Sequence, residues 1–331
     1  MSGSVPLLDV RDLVVEFQTP DATLRALDGI TFSIAPGEIL GVVGESGAGK
    51  SLTGLAISRL IQPPGKIVAG EVRLNGQRID ALPDRAMRRI RGKRIAMVFQ
   101  DPQTSLDPLF PIGDQIVETI RAHLDLSRRA ARARAIALLE EVGIPSPAAR
   151  IDAYPHEFSG GMRQRVVIAL ALCAEPELII ADEPTTALDV AVQAQILDLL
   201  ARLCRDRGMA MMLVTHDMGV ISEITQRVAV MYAGRIVELG ATAEITAQAR
   251  HPYSEGLMGA IPTLEARTEP LLQIPGTMPR LTAIPQGCAF HPRCTRAFAP
   301  CDIIRPALRP LPDGHAVACH LHDPTHKETR P

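Results

Sequence analysis

Three short stretches carry residue types and spacings that could do chemistry. Gly44-Glu45-Ser46-Gly47-Ala48-Gly49-Lys50-Ser51 fits the pattern G-x-x-x-x-G-K-[ST]. Glycines there let backbone N–H groups turn inward around a phosphate. Lys50 supplies a point charge, and Ser51 offers a hydroxyl to Mg²⁺. Leu178-Ile179-Ile180-Ala181-Asp182-Glu183 is an aliphatic run ending in two acids. Asp182 at a buried strand tip suits a contact to Mg²⁺, and Glu183, one residue on, could orient and deprotonate a water. Phe158-Ser159-Gly160-Gly161-Met162-Arg163-Gln164-Arg165 opens a helix with a serine and two glycines, a second anion-binding helix end. Two phosphate-grasping turns thus lie about a hundred residues apart in one chain, and nothing requires both to serve one nucleotide.

The elements that must position these groups follow from the apolar pattern. Ile39 to Val43 reads as a short buried strand running into the glycine turn, with the helical Leu52 to Leu60 after it. Ile95 to Phe99, Leu178 to Ala181 and Ala210 to Val214 read as further strands. Val228 to Tyr232 and Arg235 to Leu239 flank Ala233-Gly234 as a hairpin. Strands alternating with helices point to an α/β core. Leu7 to Ile34 suggests short strands in a small antiparallel sheet. Ile116 to His123 and Arg128 to Val142 have helical periodicity, so residues 101–158 read as a helical insertion. Beyond residue 240 the composition changes. Residues 241–331 hold 13 of the 27 prolines, four of the six cysteines and six of the nine histidines. Proline at that density breaks long helices and interior strands, so 241–331 is expected to be a small, irregular Cys/Pro-rich domain held by something other than a hydrophobic core.

Taken together, the glycine turn (Walker A), the Ser-Gly-Gly signature, the Asp-Glu strand end (Walker B) and His216 in Val214-Thr215-His216-Asp217 resemble the nucleotide-binding domain of ABC ATPases. Gln100 matches that family's Q-loop and Thr186-Ala187-Leu188-Asp189 its D-loop, over roughly residues 5 to 240. Phe158 and Met162 stand where the family usually has Leu and Gln, which is similar to peptide importers. The resemblance implies a P-loop ABC-type fold over 1–240, with a mixed sheet core, an N-terminal antiparallel sheet and the helical subdomain. It implies that two such domains close head to tail, so that Ser159, Gly160 and Gly161 meet a nucleotide held on the partner's P-loop. It further implies that His216 contacts the γ-phosphate and that Gln100 senses Mg²⁺ and the attacking water. Asp189 joins the nucleotide site, and Phe17 takes the place of an aromatic that stacks on adenine. Ser51, Gln100 and Asp182 are the implied Mg²⁺ contacts, and Glu183, His216 and Gln100 the catalytic set.

Cys288, Cys294, Cys301 and Cys319 form C-x5-C-x6-C-x17-C, without the tight knuckles of a zinc ribbon. The residues leave open a [4Fe–4S] cluster, zinc or free thiols. His251-Pro252-Tyr253 followed by these cysteines resembles the C-terminal extension of oligopeptide and dipeptide importer ATPases, where the resemblance points to a cluster. His291, His315 and His320 lie near the cysteines and read as solvated surface groups, whereas Cys173 and Cys204 read as core.

Composition excludes several classes. The formal net charge of −2 argues against bulk capture of nucleic acid, and the basic run Arg85 to Arg94 reads as a solvated face. No basic, apolar leader precedes Leu8, and the longest uncharged apolar run, Val166 to Ala174, falls well short of the roughly 20 residues a membrane span needs. The expectation from these features is a soluble chain whose membrane role comes through a partner; the resemblance implies an ATPase of the cytoplasmic face of the inner membrane, using ATP and Mg²⁺ and held there by two permease subunits. The resemblance adds an identical or paralogous ATPase subunit and an external solute-binding protein. It also implies import of peptides, with nickel chelates, glutathione or glycosides as alternative cargo. Of the other classes, a DNA-repair ATPase would insert long coiled coils, whereas only 108 residues separate Ser51 from Ser159. A translation-factor type would carry two tandem ATPase domains, and the phosphate motif occurs once.

Overall fold

The computed structural model describes residues 5–186, 188–259 and 274–325. Its strands are β1 (Leu8–Gln18), β2 (Thr23–Ile34), β3 (Ile39–Val43), β4 (Gly65–Leu74), β5 (Gln77–Arg78), β6 (Ile95–Val98), β7 (Leu178–Asp182), β8 (Ala210–Val214), β9 (Arg227–Tyr232), β10 (Arg235–Ala241), β11 (Arg309–Pro310) and β12 (Ala316–Val317). The chain divides into two compact units.

The first unit comprises Met1–Leu7, Ile34–Ile39 and Ala81–Val214. Its strands β6, β7 and β8 are parallel, with Ile95 opposite Leu178 and Leu178 opposite Ala210. Every residue of β7 and β8 is buried, as expected for parallel strands covered on both faces. Each buried Leu or Ile contributes about 1.5–3 kcal/mol. In the helix Ile112–His123, Ile112, Ile116, Val117 and Ile120 form one buried stripe while Glu118 and Arg121 stay on the wet face. Ser127 starts the helix Arg128–Glu141 by accepting the Ala130 N–H at 3.2 Å. The helical insertion read from the sequence is therefore present, its first helix beginning four residues earlier than expected. Three of the six basic residues in the run Arg85 to Arg94 are ion-paired: Arg88 and Arg91 bond Asp84, and Arg94 bonds Glu177.

The second unit comprises Leu8–Ser33, Leu40–Asp80 and Thr215–Pro331. An antiparallel sheet in the order β2-β1-β4-β5 lies at its N-terminal side. The expected short strands are in fact long, 11 and 12 residues in β1 and β2. The third strand, β4, escaped the sequence because Gly65 and Gly70 interrupt its alternation. A mixed arrangement joins β3 to β9 in parallel, and β9 to β10 through the Ala233-Gly234 hairpin. The segment beyond 240 adds β12 to β10 and β11 to β12, with 3₁₀ turns between. It also has a small aromatic core. Phe290 stands 5.3 Å from the Tyr232 ring and 5.4 Å from Tyr253, and those two are 4.7 Å apart. Edge-to-face packing of this kind adds about 0.5–1.5 kcal/mol per pair to the area buried. No described helix is long and apolar enough to cross a membrane.

Candidate active site

In the second unit, β3 delivers the chain into the glycine turn and the helix Lys50–Ile57 carries it away. The turn admits side chains at few positions. A Cβ on Gly44 would fall 2.3 Å from the Met231 carbonyl oxygen. Gly49 sits at φ +103°, and its Cβ would meet the Leu27 side chain at 2.8 Å. The Ala48 N–H bonds the Glu45 carbonyl at 3.1 Å, and the Gly234 N–H braces the Ala48 carbonyl at 2.9 Å. Lys50 is buried, and its ammonium donates to the Gly44 carbonyl at 2.8 Å and the Glu45 carbonyl at 3.2 Å. Its charge is thereby held over the turn instead of extending to solvent. Ser51 is half-buried beside it.

Two further expected residues belong to this unit. The Thr215 N–H bonds the Val42 carbonyl at 3.2 Å, which ties the neighbour of His216 to the strand feeding the turn. His216 itself is exposed, and Asp217 next to it caps the helix Met218–Ile224 through the Gly219 and Val220 N–H groups. Phe17, next to last in β1, pairs with Gly65 and is half-buried with its ring against that glycine.

In the first unit, Asp182 closes β7 with 8% of its surface exposed. Glu183 follows at φ +45°, a left-handed conformation unusual for a side chain of this size. Its N–H bonds the Val214 carbonyl at 2.9 Å. Its Oε2 accepts from Gln100 Nε2 and from Thr186 Oγ1, each at 3.0 Å. The structure thus brings Gln100 and Glu183 together with Thr186, the first residue of the expected D-loop. Two donors on one oxygen fix the orientation of the carboxylate.

The Ser-Gly-Gly turn stands in the same unit. Ser159 and Gly160 are exposed, and Ser159 caps the helix Gly160–Leu172 by accepting the Met162 N–H at 3.3 Å. Gly161 is required by its neighbour, since a Cβ there would come within 2.7 Å of Val192. Phe158 is buried behind the turn. Asp189 caps the helix Val190–Arg207 through the Val192 N–H at 2.9 Å, a structural task beside the expected nucleotide contact. Ala187, within the expected D-loop, lies outside the described residues.

Cys288, Cys294, Cys301 and Cys319 all line one cavity in the second unit, with His291 and His320. Burial pushes the Cys288 thiol up to about 11 and the Cys319 thiol up to about 12. Among the described residues no three of His, Cys, Asp or Glu are grouped tightly enough to share a single metal ion. The expectation of solvated histidines fails for two of them, as His315 and His320 are almost wholly buried. Cys173 and Cys204 are buried in the first unit, as expected, each pushed up to about 12 by desolvation. No described cysteine is in a disulfide.

Sequence reasoning missed what holds Glu45. Arg293 grips its carboxylate with both terminal nitrogens, and the Tyr253 hydroxyl accepts its N–H at 2.9 Å. The contacts span more than 200 residues of sequence, beyond the reach of any local pattern.

The family model described as ABC transporter matches residues 27–186, and that of the oligopeptide/dipeptide transporter C-terminal region matches 237–301. The dipeptide transport ATP-binding protein DppD of Escherichia coli strain K12 is 46% identical over 95% of this chain and 96% of its own length. The oligopeptide transport ATP-binding protein OppD of Bacillus subtilis strain 168 is 47% identical over 98% of this chain and 91% of its own. Among solved structures, a dimeric post-hydrolysis ATP-binding cassette bound to ADP and Pi has a TM-score of 0.64 at 27% identity, over 71% of this chain and 98% of that one. A P-loop, a Ser-Gly-Gly helix start and a Gln-braced glutamate, in a chain this similar to both relatives along nearly its whole length, place it in the ABC transporter family, among the dipeptide and oligopeptide transport ATP-binding proteins.

Proposed function

We propose that this chain binds and hydrolyses ATP to power uptake of di- and oligopeptides through an ABC importer at the cytoplasmic membrane. The observation that carries the proposal is the exposed, serine-capped helix start at Ser159–Gly161. An anion-binding helix end turned to solvent suits a nucleotide brought by another subunit, and the similar cassette bound to ADP and Pi is dimeric.

In this proposal the turn 44–51 cradles the phosphates, with Lys50 as their point charge. Ser51, Asp182 and Gln100 would hold Mg²⁺, which when bound neutralises charge on the phosphates. Glu183, aimed by Gln100 and Thr186, takes a proton from the attacking water. His216 faces the γ-phosphate, Phe17 meets the adenine, and Asp189 joins the site at the subunit junction. Hydrolysis needs little covalent help from the protein, so positioning and charge account for most of the rate. The proposal treats 1–240 as the ATPase domain and 241–331 as an importer-type C-terminal domain.

A docking place for the permeases is supported in the helical insertion. Leu109 and Phe110 are 77% and 54% exposed, beside a groove of about 280 Å³ whose rim carries Asp107, Asp114 and Glu118. A short permease helix with apolar and basic residues fits that chemistry. A paralogous or identical ATPase subunit, two permeases and an external solute-binding protein complete the assembly, seated on the cytoplasmic face.

The resemblance of the C-terminal segment points to a [4Fe–4S] cluster on the four cysteines that line one cavity, with zinc or free thiols as the alternatives. Cys288, Cys294, Cys301 and Cys319 would hold the cluster after losing their thiol protons. Colourless, iron- and sulfide-free protein from anaerobic purification would end this part of the proposal.

Proteoliposomes holding the purified complex test the function. ATP-driven accumulation of labelled di- and oligopeptides, abolished by Lys50→Ala, is the expected result. Accumulation of nickel chelates, glutathione or glycosides in place of peptides would move the cargo. Stable association with DNA or ribosomes at physiological salt, without permeases, would overturn the importer reading.

A further inference from the structure

We propose that Arg293, far along the chain from the phosphate turn, is a positioning residue that sets the turn's affinity for nucleotide. Arg293 ends the 3₁₀ turn His291–Arg293, between Cys288 and Cys294. Its two terminal nitrogens bond the two carboxylate oxygens of Glu45, at 2.7 and 2.9 Å. The remaining donors are also used. Nε bonds the Pro275 carbonyl at 2.7 Å, and the terminal nitrogens reach the Tyr232 hydroxyl and the Ile274 carbonyl, both at 3.4 Å. All five guanidinium N–H groups thus have acceptors. The plane also lies against two rings, 5.8 Å from the centroid of Tyr232 and 5.9 Å from that of Phe290. With 7% of its side chain exposed, Arg293 contrasts with the solvated surface arginines, such as Arg88 at 76%.

What it holds is the second residue of the phosphate turn. Glu45 is fixed at three points. Its carboxylate is on Arg293, its N–H on the Tyr253 hydroxyl, and its carbonyl accepts from Lys50 Nζ. Two of these anchors come from beyond residue 250, and the third is the lysine that meets the phosphates. Arg293 does two things here. It pins the entrance of the turn in one geometry, and it neutralises a carboxylate that would otherwise stand unpaired next to an anionic ligand. Removing the guanidinium while keeping Glu45 leaves a half-buried negative charge that opposes nucleotide binding. Removing both charges takes away the repulsion as well as the clamp. The inference rests on the proposed function of the turn as the nucleotide site.

The test is a double-substitution cycle on the full-length chain, titrating a fluorescent ADP analogue with Mg²⁺. Wild-type binding is the control. If wild type does not bind the analogue, the nucleotide assignment of the turn fails and the inference with it. Given wild-type binding, Arg293→Gln is expected to weaken it about tenfold, whereas the same change in a Glu45→Gln background alters affinity less than about threefold. In steady-state hydrolysis the loss is expected in KM, not in kcat. Arg293→Lys, which keeps charge and stem but not the paired geometry, should fall between wild type and Arg293→Gln. It carries the test should Arg293→Gln fail to fold. An unchanged affinity in either Arg293 variant, or a tenfold loss that persists in the Glu45→Gln background, would overturn the role assigned to Arg293.

Discussion

Glu183 is asked to do two things that its backbone makes hard to combine. Its φ of +45° costs a side-chain-bearing residue about 1–2 kcal/mol, which glycine avoids. Glycine's freer unfolded chain returns about 0.4–1 kcal/mol of that. Comparing Glu183→Gly with Glu183→Ala cancels the loss of both side-chain hydrogen bonds. The glycine variant should therefore be the more stable of the two by about 0.5–1 kcal/mol, or roughly 1–3 °C in Tm, the reverse of the usual order. Glu183→Gln isolates the chemistry. Its amide oxygen still accepts from Gln100 and Thr186, so Tm should stay within about 1 °C and nucleotide affinity should hold. Only the basic lone pair is lost. General-base removal lowers turnover about 10²–10⁴-fold, equivalent to about 3–5 kcal/mol of barrier. Single-turnover hydrolysis of γ-labelled ATP by the assembled complex, with thermal melts of each variant, reads both effects. Hydrolysis by Glu183→Gln at the wild-type rate would show that another group moves the proton. An alanine variant more stable than the glycine one would show that position 183 carries no strain.

Three further expectations follow from burial and fit. Full burial penalises the imidazolium of His251, with His322 and Arg296 adding repulsion, and holds its pKa at about 3 against an ordinary 6.5. The unfolded chain binds this proton between those values and the folded one does not. Stability from this group is thus complete above about pH 6.5 and falls by about 1.4 kcal/mol per unit as pH drops towards 3. Urea melts at pH 7, 6 and 5 should show a shallower decline for His251→Asn than for wild type. Cys173 and Cys204, both pushed up to about 12, should resist iodoacetamide at pH 8 in the native chain and react on denaturation, as mass spectrometry would record. Gly161→Ala should cost about 1–2 kcal/mol because its methyl meets Val192, and Val192→Ala should recover much of that in melts of the double variant.

The local geometry of the glycine turn, the serine cap and the acidic strand end was legible in sequence because it depends on local backbone events. A glycine turn between strand and helix, a serine before a helix and two acids at a strand end are short-range patterns, and β3, β7 and β8 lie within a residue of where their apolar runs place them. Low alternation hid β4, and the aromatic core around Phe290 stayed hidden because its members come from positions 232, 253 and 290. Only tertiary structure paired Gln100 and Thr186 with Glu183, buried His315 and His320, and gathered four widely spaced cysteines round one cavity. It alone laid Arg293 on Glu45, 248 residues away. Local patterns fix what a backbone segment can bind, because φ, ψ and capping are set by near neighbours. Which side chain neutralises or aims a given group is decided by packing between distant segments, and no spacing along the chain records it.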